Sequence, residues 1–217
     1  MNRVIGLDVR DAATEQALHG IEALYSSHAL AFGIELGPHP RSPALEEWLR
    51  RRRLRRTVAT CMRYRNAATV NVPTTSAMVT RALTLPECSE VAGLCASVFR
   101  VPKVIAHLLI EAHHDPRWRH WLVRHDSKIV AAAMSFVDHE VAWLGWDATL
   151  SEARGKGLHT ALIAARLNEA ADAGCRFVTT ETAADSPART DPSGRNYQKL
   201  GFDAAYARTT YVALHKP

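Results

Sequence analysis

Apolar positions recur along this chain at two spacings, and the spacings divide it into helices and strands. Between Asp11 and Tyr25, Ala17, Leu18, Ile21 and Leu24 fall on one helical face, which predicts a surface helix. Ala29 to Leu36 reads as a strand, broken by Gly37-Pro38-His39-Pro40. Ser42-Pro43 then predicts a helix start, with Ser as N-cap, Pro at the first helical position and Leu45, Trp48 and Leu49 on one side. From Thr57 to Arg65 the chain alternates, which predicts another strand. Asn71-Val72-Pro73-Thr74-Thr75-Ser76 has the composition of a linker, so a boundary is expected near residue 75, between an N-terminal strand-helix-strand lobe (1–75) and a larger domain (76–217).

In the larger domain Met78 to Leu85 predicts a strand, and Pro86 to Phe99 and Pro102 to Ala112 predict helices. Strands follow at His120 to His125, Lys128 to Val137 and Glu140 to Leu150. The two-residue joints Asp126-Ser127 and Asp138-His139 make them antiparallel neighbours. Ile129 to Met134 is apolar on both faces, so both sides of the sheet are covered. A helix apolar nearly all round starts near Gly155 and stops at Gly174, and Arg176 to Thr182 predicts one more strand.

Composition narrows the class. With 217 residues, 47% of them hydrophobic, the chain can bury one good core or one core and a small extra lobe. No apolar run approaches a membrane span, and the N-terminus has no signal-peptide core, so a cytoplasmic protein with no membrane partner is expected. Cys61, Cys88, Cys95 and Cys175 form no CxxC pair and lie in apolar contexts, as reduced core residues do. The net charge of +5 is modest and suits a polyanionic guest. Six arginines surround Leu54 between Arg50 and Arg56, but no aromatics interleave with them, so a solvated face is expected in preference to an RNA site. His113, His114, Asp115, His120 and His125 are not expected to hold a metal, because adjacent histidines on a helix point apart.

The densest chemistry lies at Ala153-Arg154-Gly155-Lys156-Gly157-Leu158-His159-Thr160, between a long strand and the apolar helix. Glycines let a backbone approach a bound group, and the first N–H groups of the helix point at it. With the helix dipole, Arg154 and Lys156, this is a seat for a pyrophosphate. Some forty residues on comes Asn196-Tyr197-Gln198-Lys199-Leu200-Gly201-Phe202.

In that order the two segments resemble the GCN5-related N-acetyltransferase (GNAT) superfamily. More narrowly, Ala148-Thr149-Leu150, Thr180-Glu181-Thr182 and Pro192-Ser193-Gly194-Arg195-Asn196 resemble a bacterial subgroup with an extra N-terminal lobe. The resemblance covers residues 76–217. It implies an α/β (α+β) acyl-CoA N-acyltransferase fold, a mixed, mostly antiparallel twisted sheet flanked by helices, with acetyl-CoA as cosubstrate and no metal. Ala148, Thr149, Leu150, Arg154, Gly155, Lys156, Gly157, Leu158, His159, Thr160 and Asn196 are the implied cofactor-binding residues. Glu152 stands where the family has Gln or Arg, so its side chain is expected to turn outward. His159 replaces a common glycine, and Thr190 or Asp191 stands where the family has an asparagine, a role Asn196 is expected to take.

By the same resemblance Tyr197 protonates the departing thiolate. An alkyl amine with a pKa near 10 needs a base before it attacks a thioester. Glu140, Asp147 and Glu181 could each face the cleft, and Glu181 is favoured. The expected acceptor is a small-molecule or peptide amine, and a homodimer is compatible with everything above. Two alternatives stay open: a non-catalytic acyl-CoA-binding regulatory module, and an RNA-associated protein using Arg50 to Arg56.

Overall fold

The computed structural model describes residues 2–71, 78–184 and 191–213; the expected boundary near residue 75 and Thr190 lie outside them. The chain forms two compact units: residues 1–62, 182–191 and 204–217, and residues 63–181 and 192–203.

The first unit is built on β1 (Asn2–Val4), α1 (Glu15–Ser27), β2 (Phe32–Leu36), α2 (Leu45–Arg51), the start of β3 (Leu54–Asn66) and most of β9 (Asp203–Ala213). β1 and β2 pair in parallel, β2 and β9 antiparallel, in the order β1-β2-β9-β3. Leu18, Ile34, Leu45, Leu49 and Leu54 form its core. Three expectations shift here. A short strand precedes α1. The helix starts at Glu15, behind the Thr14 cap, and not at Asp11. Ser42 does not cap α2: its backbone N–H goes to the Asp8 carboxylate, 3.1 Å away, and Ala44 takes the cap position without a side-chain bond.

The second unit carries β4 (Val79–Ala82), α3 (Leu85–Phe99), α4 (Lys103–Glu111), β5 (Trp118–His125), β6 (Lys128–Asp138), β7 (Val141–Thr149), α5 (Leu158–Asp172), β8 (Phe177–Ala183) and α6 (Pro192–Lys199). The strand order is β8-β7-β6-β5-β4, antiparallel except for the parallel pair β7/β8. β6 is apolar on both faces because both are covered. Ile129, Ala132 and Met134 pack with Cys88, Val91, Cys95 and Leu109 from α3 and α4, while Val130, Ala131 and Ala133 pack with Leu158 and Leu162 of α5. All four cysteines are free and buried.

One irregularity positions the site. The β6/β7 register passes from Ala132↔Ala148 to Met134↔Gly145, so Trp146 and Asp147 oppose Ala133 alone. Trp146 takes a left-handed conformation in this bulge (φ 57°), and its carbonyl accepts from Cys95 Sγ at 3.1 Å.

Candidate active site

A cavity of about 490 Å³ opens within the second unit beside the bulge and the start of α5. Its floor is the turn from β7 into α5. Gly155 and Gly157 both have φ +76°, a conformation costly for any residue with a Cβ, and a Cβ on Gly155 would project into open space. Gly157 also sits at the N-cap of α5, and no side chain caps that end. The first amides of α5 therefore keep their donors for a guest, and the helix dipole favours an anion there. Arg154 stands at the rim, its Nε donating to Thr149 O at 3.3 Å. Glu152 turns away, with Lys128 Nζ 3.3 Å from its carboxylate.

Behind the cavity wall lies a buried polar network. Arg166, on α5, has no exposed side-chain area; it donates to Leu162 O (3.0 Å), Met134 O (2.9 Å) and Gly145 O (3.4 Å), and it pairs with Asp147. The guanidinium thus satisfies carbonyls beside the bulge and neutralises the carboxylate that the bulge turns inward. Tyr197, 1% exposed on α6, donates its hydroxyl to Asp147 Oδ2 at 2.7 Å. The ring of His159 lies between, with Nε2 3.5 Å from Asp147 Oδ1 and Nδ1 3.0 Å from Asn196 Nδ2. Burial by itself would raise the Asp147 carboxyl, but Arg166 and then His159 outweigh it and hold the group well below the usual carboxylate range. Burial and the Asp147 charge both push the Tyr197 phenol upward, so it stays protonated.

The structure gathers many of the sequence-derived residues and separates others. Asp147, Thr149, Arg154, Gly155, Gly157, Leu158, His159, Thr160 and Asn196 line the cavity. Ala148 faces the core, Leu150 packs against the other face of β6, and Lys156 is exposed away from the lining. Tyr197 is behind the wall, and Glu181 is half-buried on β8 outside the lining. Glu140 is exposed and pairs with Arg176 at 3.1 Å. Among the described residues no cluster could hold a metal ion, and no helix is long and apolar enough to cross a membrane.

Sequence reasoning missed Val98, Pro192 and Ser193 in the lining and Arg166 behind it, and gave no binding role to Ala153 and Lys199, which lie within the two motifs. Arg166 did leave a signal: it is a charge in the middle of a helix apolar nearly all round, and such a charge needs a buried partner.

The model of the acetyltransferase (GNAT) family matches residues 88–202. No curated protein matches the sequence. Among solved structures, a GCN5-related N-acetyltransferase from Kribbella flavida is similar at TM-score 0.72 and 15% identity, over 93% of this chain and 76% of that one. A GCN5-related N-acetyltransferase from Sphaerobacter thermophilus is similar at TM-score 0.72 and 14% identity, over 90% of this chain and 65% of that one. A tandem GNAT protein from the clavulanic acid biosynthesis pathway is similar at TM-score 0.63 and 17% identity, over 93% and 70%. At these identities the likeness concerns the fold.

Proposed function

The chain belongs to the acetyltransferase (GNAT) family, and we propose that it transfers an acetyl group from acetyl-CoA to a primary amine of a small molecule or peptide. The observation that carries this reading is the uncapped start of α5 behind Gly155 and Gly157, on the floor of the cavity. The residues suit the cosubstrate: free helix amides, the dipole and Arg154 for the pyrophosphate, with Lys199 as a further cation in the wall.

The amine attacks the thioester carbonyl, the C–S bond breaks as the amide forms, and the thiolate leaves with a proton. At neutral pH only about one alkyl amine in a thousand is unprotonated, so a base is required. Asp147 is a poor one, because Arg166 and His159 keep its proton affinity low. Glu181 is the proposed base, and because it lies on β8 outside the cavity lining it would act through a chain of water. Tyr197 is the proposed acid: its phenol is protonated, and to serve the thiolate its hydroxyl has to turn from Asp147 toward the cavity. An amide group near Thr149 would receive the oxyanion.

That same hydrogen bond supports a second reading, an acyl-CoA-binding module without catalysis, because the hydroxyl is already engaged and 1% exposed. The two readings separate in a thiol-release assay over a panel of amines. Amine-dependent release that falls at least about tenfold in Tyr197→Phe, with acetyl-CoA affinity kept, supports the enzyme with this acid. Release unchanged in the variant removes Tyr197 from the mechanism. Tight acetyl-CoA binding with no release from any amine supports the binding module.

A further inference from the structure

The Tyr197 hydroxyl is turned toward Asp147 and not toward the cavity, so acid catalysis by this residue needs a group that loosens that contact. His159 is placed to do so. Its ring lines the cavity, stands edge-on to the Tyr197 ring with centroids 5.7 Å apart, and has Nε2 3.5 Å from Asp147 Oδ1. The neighbours of the ring locate its hydrogen. An ionised carboxylate only accepts, so the nitrogen facing Asp147 carries the hydrogen, although at 3.5 Å it makes no hydrogen bond. Nδ1 then holds the lone pair and accepts from Asn196 Nδ2 at 3.0 Å. The imidazole is therefore neutral, with one buried N–H left unsatisfied.

The nearby charges explain why. Arg166 already neutralises Asp147, Arg154 and Lys199 line the same cavity, and the positive end of the α5 dipole meets His159 in the first turn of that helix. The Tyr197 phenol is protonated and uncharged, and Lys156 and Glu181 lie outside the lining. An added proton on His159 thus meets an excess of positive charge. A pyrophosphate on the first amides of α5 reverses that balance, because its negative charges lie within one turn of the ring. Imidazole is the side chain whose charge such a change moves near neutral pH.

We infer that acetyl-CoA binding places a proton on His159 and that the resulting imidazolium releases the Tyr197 hydroxyl from Asp147. The inference rests on the acyl-transfer reading and makes His159 a positioning residue for the acid. The new hydrogen sits on Nδ1, so the Asn196 amide turns over and offers its oxygen. On the other side the charged Nε2–H draws on Asp147 Oδ1, and the carboxylate holds the Tyr197 O–H less strongly. When that proton passes to the departing thiolate, a thiol and a phenolate form. The imidazolium offsets the phenolate charge, which Asp147 opposes.

Calorimetric titration of the full chain with acetyl-CoA at pH 7.5, in HEPES and in Tris, reads the protons taken up on binding, because the two buffers differ in ionisation enthalpy. About 0.3–1 proton per acetyl-CoA is expected for the parent, and less than about 0.1 for His159→Gln, whose side chain keeps a donor and an acceptor but does not titrate. In the thiol-release assay His159→Gln is expected to lower kcat about tenfold, to keep KM for acetyl-CoA within about threefold, and to add nothing further in a Tyr197→Phe background. Three results would each overturn the proposal while leaving acetyl-CoA as the cosubstrate: binding without proton uptake, uptake that persists in His159→Gln, or an equal loss of kcat in the Tyr197→Phe background. No acetyl-CoA binding at all would overturn it together with the reading on which it rests.

Discussion

Arg166 shows how much of the site depends on single side chains. A guanidinium with no exposed area is costly to bury, and it persists because carbonyls of Leu162, Met134 and Gly145 and the Asp147 carboxylate surround it. Arg166→Met would leave Asp147 buried without its cation. The variant is expected to lose about 3–5 kcal/mol, read from its urea midpoint; an unchanged midpoint would show that the pair contributes nothing. The acid side of the stability profile follows from Asp147. Its folded pKa lies below the ordinary value of about 3.9, so the unfolded chain takes up the proton first as pH falls. The stabilisation is complete above about pH 5 and is lost as pH falls through 4 and below. Asp147→Asn, though less stable throughout, is expected to show a flatter decline between about pH 5 and 2, and an equally steep decline would assign the acid loss to other groups. The sequence marked Arg166 as a charge within an apolar helix, but not its partner. Asp147 could be placed on a strand and Tyr197 in a motif, but their meeting with Arg166 depends on a bulge, and nothing in an alternating pattern marks where a register shifts.

At the scale of elements, hydrophobic periodicity was legible wherever an element has one buried face or two. The doubly apolar run of β6 and the nearly all-apolar α5 read correctly because each is covered on the sides the pattern implies. Helix starts were less legible. Ser42-Pro43 has the composition of a cap, yet Asp8, 34 residues away in sequence, draws in the Ser42 amide and moves the start to Leu45. The turn into α5 was legible because glycine at positive φ leaves a mark in composition. Gly145 left a less direct one. A Cβ there would run into the Trp143 ring, so this glycine lets an aromatic fold back over β7. Gly145→Ala is expected to cost about 1–3 kcal/mol in thermal or urea unfolding. Adding Trp143→Leu should recover part of that loss; a Gly145→Ala variant as stable as the parent would contradict the close approach.

For the whole molecule, the arginine run from Arg50 to Arg56 is partly spent on local pairing. Arg50 pairs with Glu47, Arg51 with Glu15 and Glu47, and Arg52 with Glu15 and Glu22. The pairs of Arg50 and Arg51 are exposed and add little stability, whereas Arg52 is mostly buried; all of them reduce the charge available to an RNA backbone. The association of β9 with β2, which joins residues 33–36 to residues 209–212, could not be read from a linear pattern, because pairing partners far apart carry no shared local signal. What the sequence did carry to molecular scale was the pair of motifs flanking the cavity, since glycine, arginine and the tyrosine segment are each restricted by chemistry more than by packing.

The proposed acetyl transfer depends on the start of α5 seating the pyrophosphate of acetyl-CoA. The most direct test is a calorimetric titration of the full chain with acetyl-CoA beside a variant carrying Gly155→Val and Gly157→Val. Micromolar binding to the parent, about −8 kcal/mol, is expected, and its loss in a variant whose unfolding transition is still cooperative. An intact chain that binds no acetyl-CoA, or a folded variant that binds it as tightly as the parent, would show that this turn is not the pyrophosphate seat.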